Sequence, residues 1–97
     1  MEIKQHPRFQ KFFGEVKDAV TKAKLLASIK RLAVGNPGKA KSVGDGVMEL
    51  KIEYGPGWRI YYTKVNNEIV MLLTGGTKNG QQQDIEVAKQ VAREIRQ

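Results

Sequence analysis

The chain of 97 residues contains no cysteine, which excludes disulfides and thiolate metal sites. It has a single histidine, His6, whereas zinc ordinarily draws on several His or Cys ligands. Neither a metal nor a cofactor is expected. Long apolar runs are also missing. The longest, Ile69 to Leu73, has five residues, far short of the roughly 18 that a membrane-spanning helix needs, so no membrane association is expected. The opening stretch Met1 to Pro7 lacks the basic-then-apolar pattern of a signal peptide, which leads to the expectation of a cytoplasmic protein. Gly75-Gly76 is not followed by the Gly-Lys-Ser/Thr ending of a phosphate-binding loop. Acidic residues are scarce: ten Asp plus Glu stand against 17 Lys plus Arg, a formal charge of +7. A field of that sign favours polyanions such as nucleic acid, a membrane surface or an acidic protein.

What is present reads as one α+β domain spanning residues 1–97, without repeat or linker. Residues 1–5 suit a short strand ended by His6-Pro7, because the residue before proline avoids the α region. Phe9, Phe12, Phe13 and Val16 recur at helical spacing, which makes the three phenylalanines core. Asp18 suits the N-cap of a second helix, whose apolar stripe is Leu25, Leu26, Ile29, Leu32 and Ala33. Gly35-Asn36-Pro37-Gly38 stops it. Lys39 to Gly46 reads as a polar loop whose Lys39 and Lys41 can meet phosphate.

The period then changes from 3.6 to 2. Met48, Leu50, Ile52 and Tyr54 alternate with Val47, Glu49, Lys51 and Glu53, a strand with one buried face. Gly55-Pro56-Gly57 is a turn. Trp58, Ile60 and Tyr62 alternate with Arg59, Tyr61 and Thr63 in a second strand. Asn66-Asn67 suits a hairpin turn because asparagine tolerates positive φ. Residues 68–75 form a third strand, apolar on both faces and therefore central. Gly75 to Gly80 is a loop. Ile85, Ala88, Val91, Ala92 and Ile95 mark a final amphipathic helix.

If the turn at 55–57 pairs Tyr54 with Trp58, one sheet face carries Leu50, Ile52, Tyr54, Trp58, Ile60 and Tyr62 towards the core. The other face then holds Glu53 opposite Arg59, Lys51 opposite Tyr61 and Glu49 opposite Thr63, as an exposed patch. Metal-free RNA cleavage needs a base for the ribose 2′-hydroxyl, an acid for the leaving 5′-oxygen and a cation on the phosphorane oxygens. Glu49 or Lys51 fits the base. Arg59 fits the phosphate clamp, since its planar fork grips two oxygens. Lys78 adds a second cation, and Tyr61 can stack on a base. Glu53 and Lys39 with Lys41 complete the candidate RNA contacts. The same face also reads as ordinary solvated surface, with Glu53 and Arg59 as a plain cross-strand ion pair. His6 is expected at the surface, away from the patch.

The run Gly46 to Tyr62, with Glu49, Lys51, Gly55-Pro56-Gly57, Trp58 and Arg59, resembles the signature of the addiction module killer protein family, within the RelE/HigB/ParE toxin superfamily. Ile69 to Lys78 resembles its second block. Gly35 to Gly38 and Lys41 to Gly44 fit the loop before the first block. The resemblance covers essentially the whole chain in order. It implies a β-α-α-β-β-β-α toxin, with a helical hairpin on one face of an antiparallel sheet and a C-terminal helix. It also implies an mRNA endoribonuclease, often acting on the ribosome, and a partner antitoxin of the helix-turn-helix kind. Arg59 matches the phosphate-binding arginine of such toxins, and Lys78 lies near a further basic position. Thr77 replaces the usual aspartate and Asn79-Gly80 the usual Ser-Thr. Gln81 to Ile85 lacks the tyrosine or histidine that many relatives carry there. A ParE-like DNA gyrase inhibitor without nuclease activity is the alternative within the same fold, and a plain nucleic-acid-binding module is a third reading.

Overall fold

A computed structural model describes residues 1–96. The elements are β1 (Glu2–Gln5), α1 (Pro7–Glu15), α2 (Ala19–Ala33), β2 (Ala40–Gly44), β3 (Val47–Ile52), β4 (Trp58–Lys64), β5 (Ile69–Thr77) and α3 (Gln81–Ile95), with a single 3-10 turn (Lys78–Gly80) before α3. They form one five-stranded sheet in the order β1-β5-β4-β3-β2. β1 runs parallel to β5, and the other neighbours are antiparallel. The α+β architecture is the expected one, with one strand more.

Local chemistry sets the helix ends. His6 Nδ1 accepts from the Arg8 N–H at 3.1 Å, and Pro7 occupies the first turn of α1, where its missing N–H costs nothing. The Asp18 carboxylate caps α2, accepting from the Thr21 N–H at 2.9 Å and its hydroxyl at 2.7 Å. At the other end Gly35 takes φ +82°. Its N–H reaches Leu32 O at 3.0 Å while the Asn36 N–H reaches Arg31 O at 2.9 Å, which satisfies two of the last carbonyls of α2.

α1 and α2 cover one face of the sheet. There Phe9, Val16, Leu25 and Leu32 bury against Leu50, Ile52, Ile60, Tyr62, Val70 and Leu72. Each such side chain contributes roughly 1.5–3 kcal/mol on burial. Phe12 and Phe13 pack on the margin of this core, as do Tyr54 and Trp58. α3 covers the opposite face with Ala88, Val91 and Ala92 over Val47, Tyr61 and Leu73. β5 is thus covered on both sides, by α1 and α3.

Five expectations need correction. Residues 40–44 are an edge strand paired with β3, not a loop, and Asp45-Gly46 makes the hairpin turn with φ of 56° and 74°. The stripe of α2 is rotated: Thr21 and Ser28 are buried beside Leu25 and Leu32, whereas Leu26 is exposed. Asn66 works by its side chain, which accepts the N–H of Glu68 (2.7 Å) and Ile69 (3.0 Å), with no positive φ in that turn. β5 runs on through Gly75 and Gly76 to Thr77. An alanine Cβ at Gly75 would lie 2.3 Å from the Phe12 ring, so only glycine lets α1 approach there. Finally, the β3–β4 register pairs Ile52 with Trp58, Leu50 with Ile60 and Met48 with Tyr62. Glu53 and Tyr54 belong to a longer turn, in which the Gly57 N–H bonds Tyr54 O at 3.2 Å. The shift is two residues, so each side chain keeps its expected face while its partner changes.

Candidate functional site

The register aligns two rows of side chains across the α3 side of the sheet. In the first, Lys41 (β2) pairs with Glu49 (β3), and Glu49 with Tyr61 (β4). In the second, Lys51 pairs with Arg59, and the Lys51 N–H bonds Lys39 O at 3.0 Å, so Lys39 stands on the outer side of Lys51. Lys39, Lys51 and Arg59 therefore form a line of three cations over neighbouring strands. Like charges directly opposed destabilise a sheet.

These rows make the exposed patch expected from the alternation only in part: Lys41 and Lys51 are exposed, whereas Glu49, Tyr61 and Arg59 are not. α3 closes over the β4 end of the rows, because its apolar stripe needs a sheet face and the other is taken by α1 and α2. Arg59 retains 5% of its exposure, Glu49 2% and Tyr61 none. Tyr61 is therefore unavailable for stacking on a base. Its hydroxyl donates to Glu49 Oε2 at 3.0 Å. Burial, together with the Glu49 carboxylate, pushes its pKa well above the ordinary tyrosine value. Glu53 does not oppose Arg59 either. It lies beyond the end of β3, is exposed, and pairs with Lys39, which holds its carboxyl below the usual range.

Glu49 is the hub of the buried network. The same Oε2 accepts from the Gln81 amide at 2.9 Å, so the first residue of α3 is tied to β3. Arg59 Nε lies 3.9 Å from Oε2 and Lys41 Nζ 3.8 Å from Oε1. A carboxylate so engaged holds neighbours in place rather than collecting a substrate proton. Arg59 Nη1 donates to Gly57 O at 2.6 Å, while its buried Nε has no hydrogen-bond partner among the described residues. Beyond Arg59 in register lies Gly76. An alanine Cβ at Gly76 would sit 1.9 Å from Asp84 Oδ2, so α3 rests a carboxylate directly on this backbone. Burial raises the Asp84 pKa.

The network opens to solvent through a cleft of about 320 Å³ bordered by Lys39, Lys41, Glu49, Lys51 and Arg59. Lys78 starts beside it: a Cβ at Gly57 would touch Arg59 Nη1 at 2.9 Å and Lys78 Cβ at 3.5 Å. The fold thus gathers Lys39, Lys41, Glu49, Lys51, Arg59 and Lys78, buries Tyr61 beneath them and sets Glu53 at the margin, paired with Lys39. Gln81 and Asp84 were not foreseen, and nothing in a run of three glutamines marks the first as reaching a strand carboxylate. Among the described residues no group of His, Asp and Glu is arranged to hold a metal ion, and no helix is long and apolar enough to cross a membrane. Chemically, the cleft can bind an anion and present it with a guanidinium and several ammonium groups.

Comparison with known proteins fits this geometry into a family. The chain is 43% identical over 95 residues to an uncharacterized protein of Haemophilus influenzae, covering 98% of this chain and 96% of that relative. Residues 11–95, which include every side chain of the cleft, match the family described as Phage derived protein Gp49-like (DUF891). The chain belongs to the Gp49-like family of phage-derived proteins.

Proposed function

We propose that this protein is a toxin of the RelE/HigB/ParE kind, a metal-independent endoribonuclease that cleaves mRNA on the ribosome and is held in check by a helix-turn-helix antitoxin. The observation that carries the reading is Lys51 directly opposite Arg59 across β3 and β4, in a cleft that Lys39 and Lys41 also border. A bound phosphodiester would add counter-charge to Lys51, which makes no ion pair among the described residues, and an acceptor to the Arg59 Nε, which lacks a hydrogen-bond partner there. Membership of the Gp49-like family and the resemblance of Gly46 to Tyr62 to addiction-module toxins support the same reading.

In this reading Arg59 receives a non-bridging phosphate oxygen, and Lys78 adds charge from the neighbouring turn. Their fixed positions favour the phosphorane more than the ground state. Lys51, exposed opposite Arg59, acts as its free amine, taking the 2′-hydroxyl proton to become an ammonium, while the ammonium of the flanking Lys41 or Lys78 gives a proton to the leaving 5′-oxygen. Glu49 acts through Arg59, as a positioning residue. Little of this machinery activates the nucleophile strongly, so in-line geometry imposed by a ribosome-bound substrate supplies much of the rate.

The test is to add the protein to a translating extract and map mRNA 5′ ends. Discrete cleavage is expected, lowered about 10²–10³-fold by Arg59→Ala, and lowered also by Lys51→Ala, whose side chain is exposed and leaves the fold intact. Intact mRNA with the folded parent protein rejects the nuclease, and inhibition of DNA gyrase in its place transfers the fold to the ParE-like role.

A further inference from the structure

We propose a second nucleotide subsite on the other side of Lys39 and Lys51, in the groove between α2 and the end of β3, where Tyr54 replaces the buried Tyr61 as the stacking aromatic. The inference rests on the RNA reading of the Arg59 cleft. The groove has a volume of about 400 Å³. Its helical wall is Lys24, Ala27, Ser28 and Arg31, at positions i, i+3, i+4 and i+7 of α2, and its strand wall includes Lys51 and Tyr54. α2 itself carries four cations and no carboxylate. Lys39 and Lys51 border both this groove and the Arg59 cleft, so the two are joined by a shared pair of ammonium groups at the sheet margin. A chain of phosphates leaving Arg59 meets Lys51 at the shared margin and then Arg31 and Lys24 on the helical wall. The one carboxylate of the groove, Glu53, is already neutralised by Lys39.

The groove also offers what the Arg59 cleft lacks, a partly exposed aromatic ring. Tyr54 is half-buried, and Lys24 Nζ stands over its ring at 5.4 Å from the centroid. Lys24 and Tyr54 both line the groove, and the ammonium occupies the ring face that a base would take. An unstacked base takes the same place, and the displaced Lys24 moves to the adjacent phosphate. Arg31 is held for this work by its bond from Nη2 to the Ser28 hydroxyl at 3.0 Å. Single-stranded RNA is recognised by this pairing of a stacking platform with a basic track.

The experiment uses 2′-O-methyl RNA, which resists cleavage, as a 3-mer that fills one cleft and as a 10-mer that reaches both. Affinity is measured against salt by fluorescence anisotropy. Lys24→Ala/Arg31→Ala is expected to flatten the 10-mer's log–log salt slope by about 1.4, since each lost phosphate contact removes roughly 0.7 on a single strand. The 3-mer slope stays unchanged. Tyr54→Ala is expected to weaken the 10-mer about 5- to 100-fold, and Tyr54→Phe, which keeps the ring and the packing, to leave it intact. An unaltered 10-mer slope in Lys24→Ala/Arg31→Ala, with 3-mer binding preserved, overturns the subsite alone, as does an equal loss for both lengths. Failure of the parent protein to bind either RNA overturns the RNA reading beneath it.

Discussion

Removal of Glu49 separates two pictures of the site. On an open strand face its loss changes stability by no more than about 0.5 kcal/mol, as surface substitutions generally do. The structure demands much more. Glu49→Ala leaves the buried Tyr61 hydroxyl without an acceptor, a cost of about 1–3 kcal/mol. It also leaves Arg59, 5% exposed, with no carboxylate near the 3.9 Å position that Glu49 held. Removing one member of a buried pair costs about 3–5 kcal/mol in well-desolvated cases, and the longer separation here puts the expected total near 3 kcal/mol. Glu49→Gln keeps an oxygen for Tyr61 and Gln81 but not the charge, so it falls between, at about 1–2 kcal/mol. The assay is urea unfolding followed by the fluorescence of Trp58, the single tryptophan. With a slope of about 1–3 kcal/mol per molar urea, a 3 kcal/mol loss moves the midpoint by about 1–3 M. A Glu49→Ala midpoint indistinguishable from the parent's refutes the buried network and with it the positioning of Arg59.

Two further outcomes follow from the same face. Gly76→Ala places a methyl group 1.9 Å from Asp84 Oδ2, and is expected to cost about 1–3 kcal/mol by overpacking; adding Asp84→Ala should recover most of that loss in the same urea titration, and strictly additive effects would show that the two do not touch. Tyr61 and Tyr62 both have pKa values raised by burial in the folded state, so their contribution is complete below the unfolded value of about 10 and is lost as pH rises above it, by up to about 1.4 kcal/mol per pH unit for each tyrosine. Urea melts at pH 9, 10 and 11 should show Tyr61→Phe losing less stability than the parent over that range, and identical losses would contradict the buried phenol.

Strand parity was legible because Leu50, Ile52, Ile60 and Tyr62 alternate with polar partners, and alternation survives a register error of two. The partners were not, because the Gly55-Pro56-Gly57 signal says that the chain turns but not that Glu53 and Tyr54 have already left the strand. β2 was hidden by its composition: an edge strand of lysine, serine and alanine looks like a loop, and only Asp45-Gly46, both with positive φ, announced the hairpin. The cleft residues themselves were legible as chemistry, since Arg59, Lys51 and Glu49 fall on one face by parity. The burial of Glu49 and Arg59 was not. It depends on where the apolar stripe of α3 docks, a contact made across the fold, and no local pattern around Glu49 distinguishes a polar face that meets water from one that meets a helix.

The parallel pairing of β1 with β5 joins residues 2–5 to residues 69–72. Such a distant partnership is slow to form, and during synthesis residues 2–5 must wait until residues 69–72 have left the ribosome. α3, which roofs Arg59, emerges later still. A growing chain therefore carries Arg59 on an unfinished surface, and the cleft takes shape only once residues 81–95 have folded over the sheet.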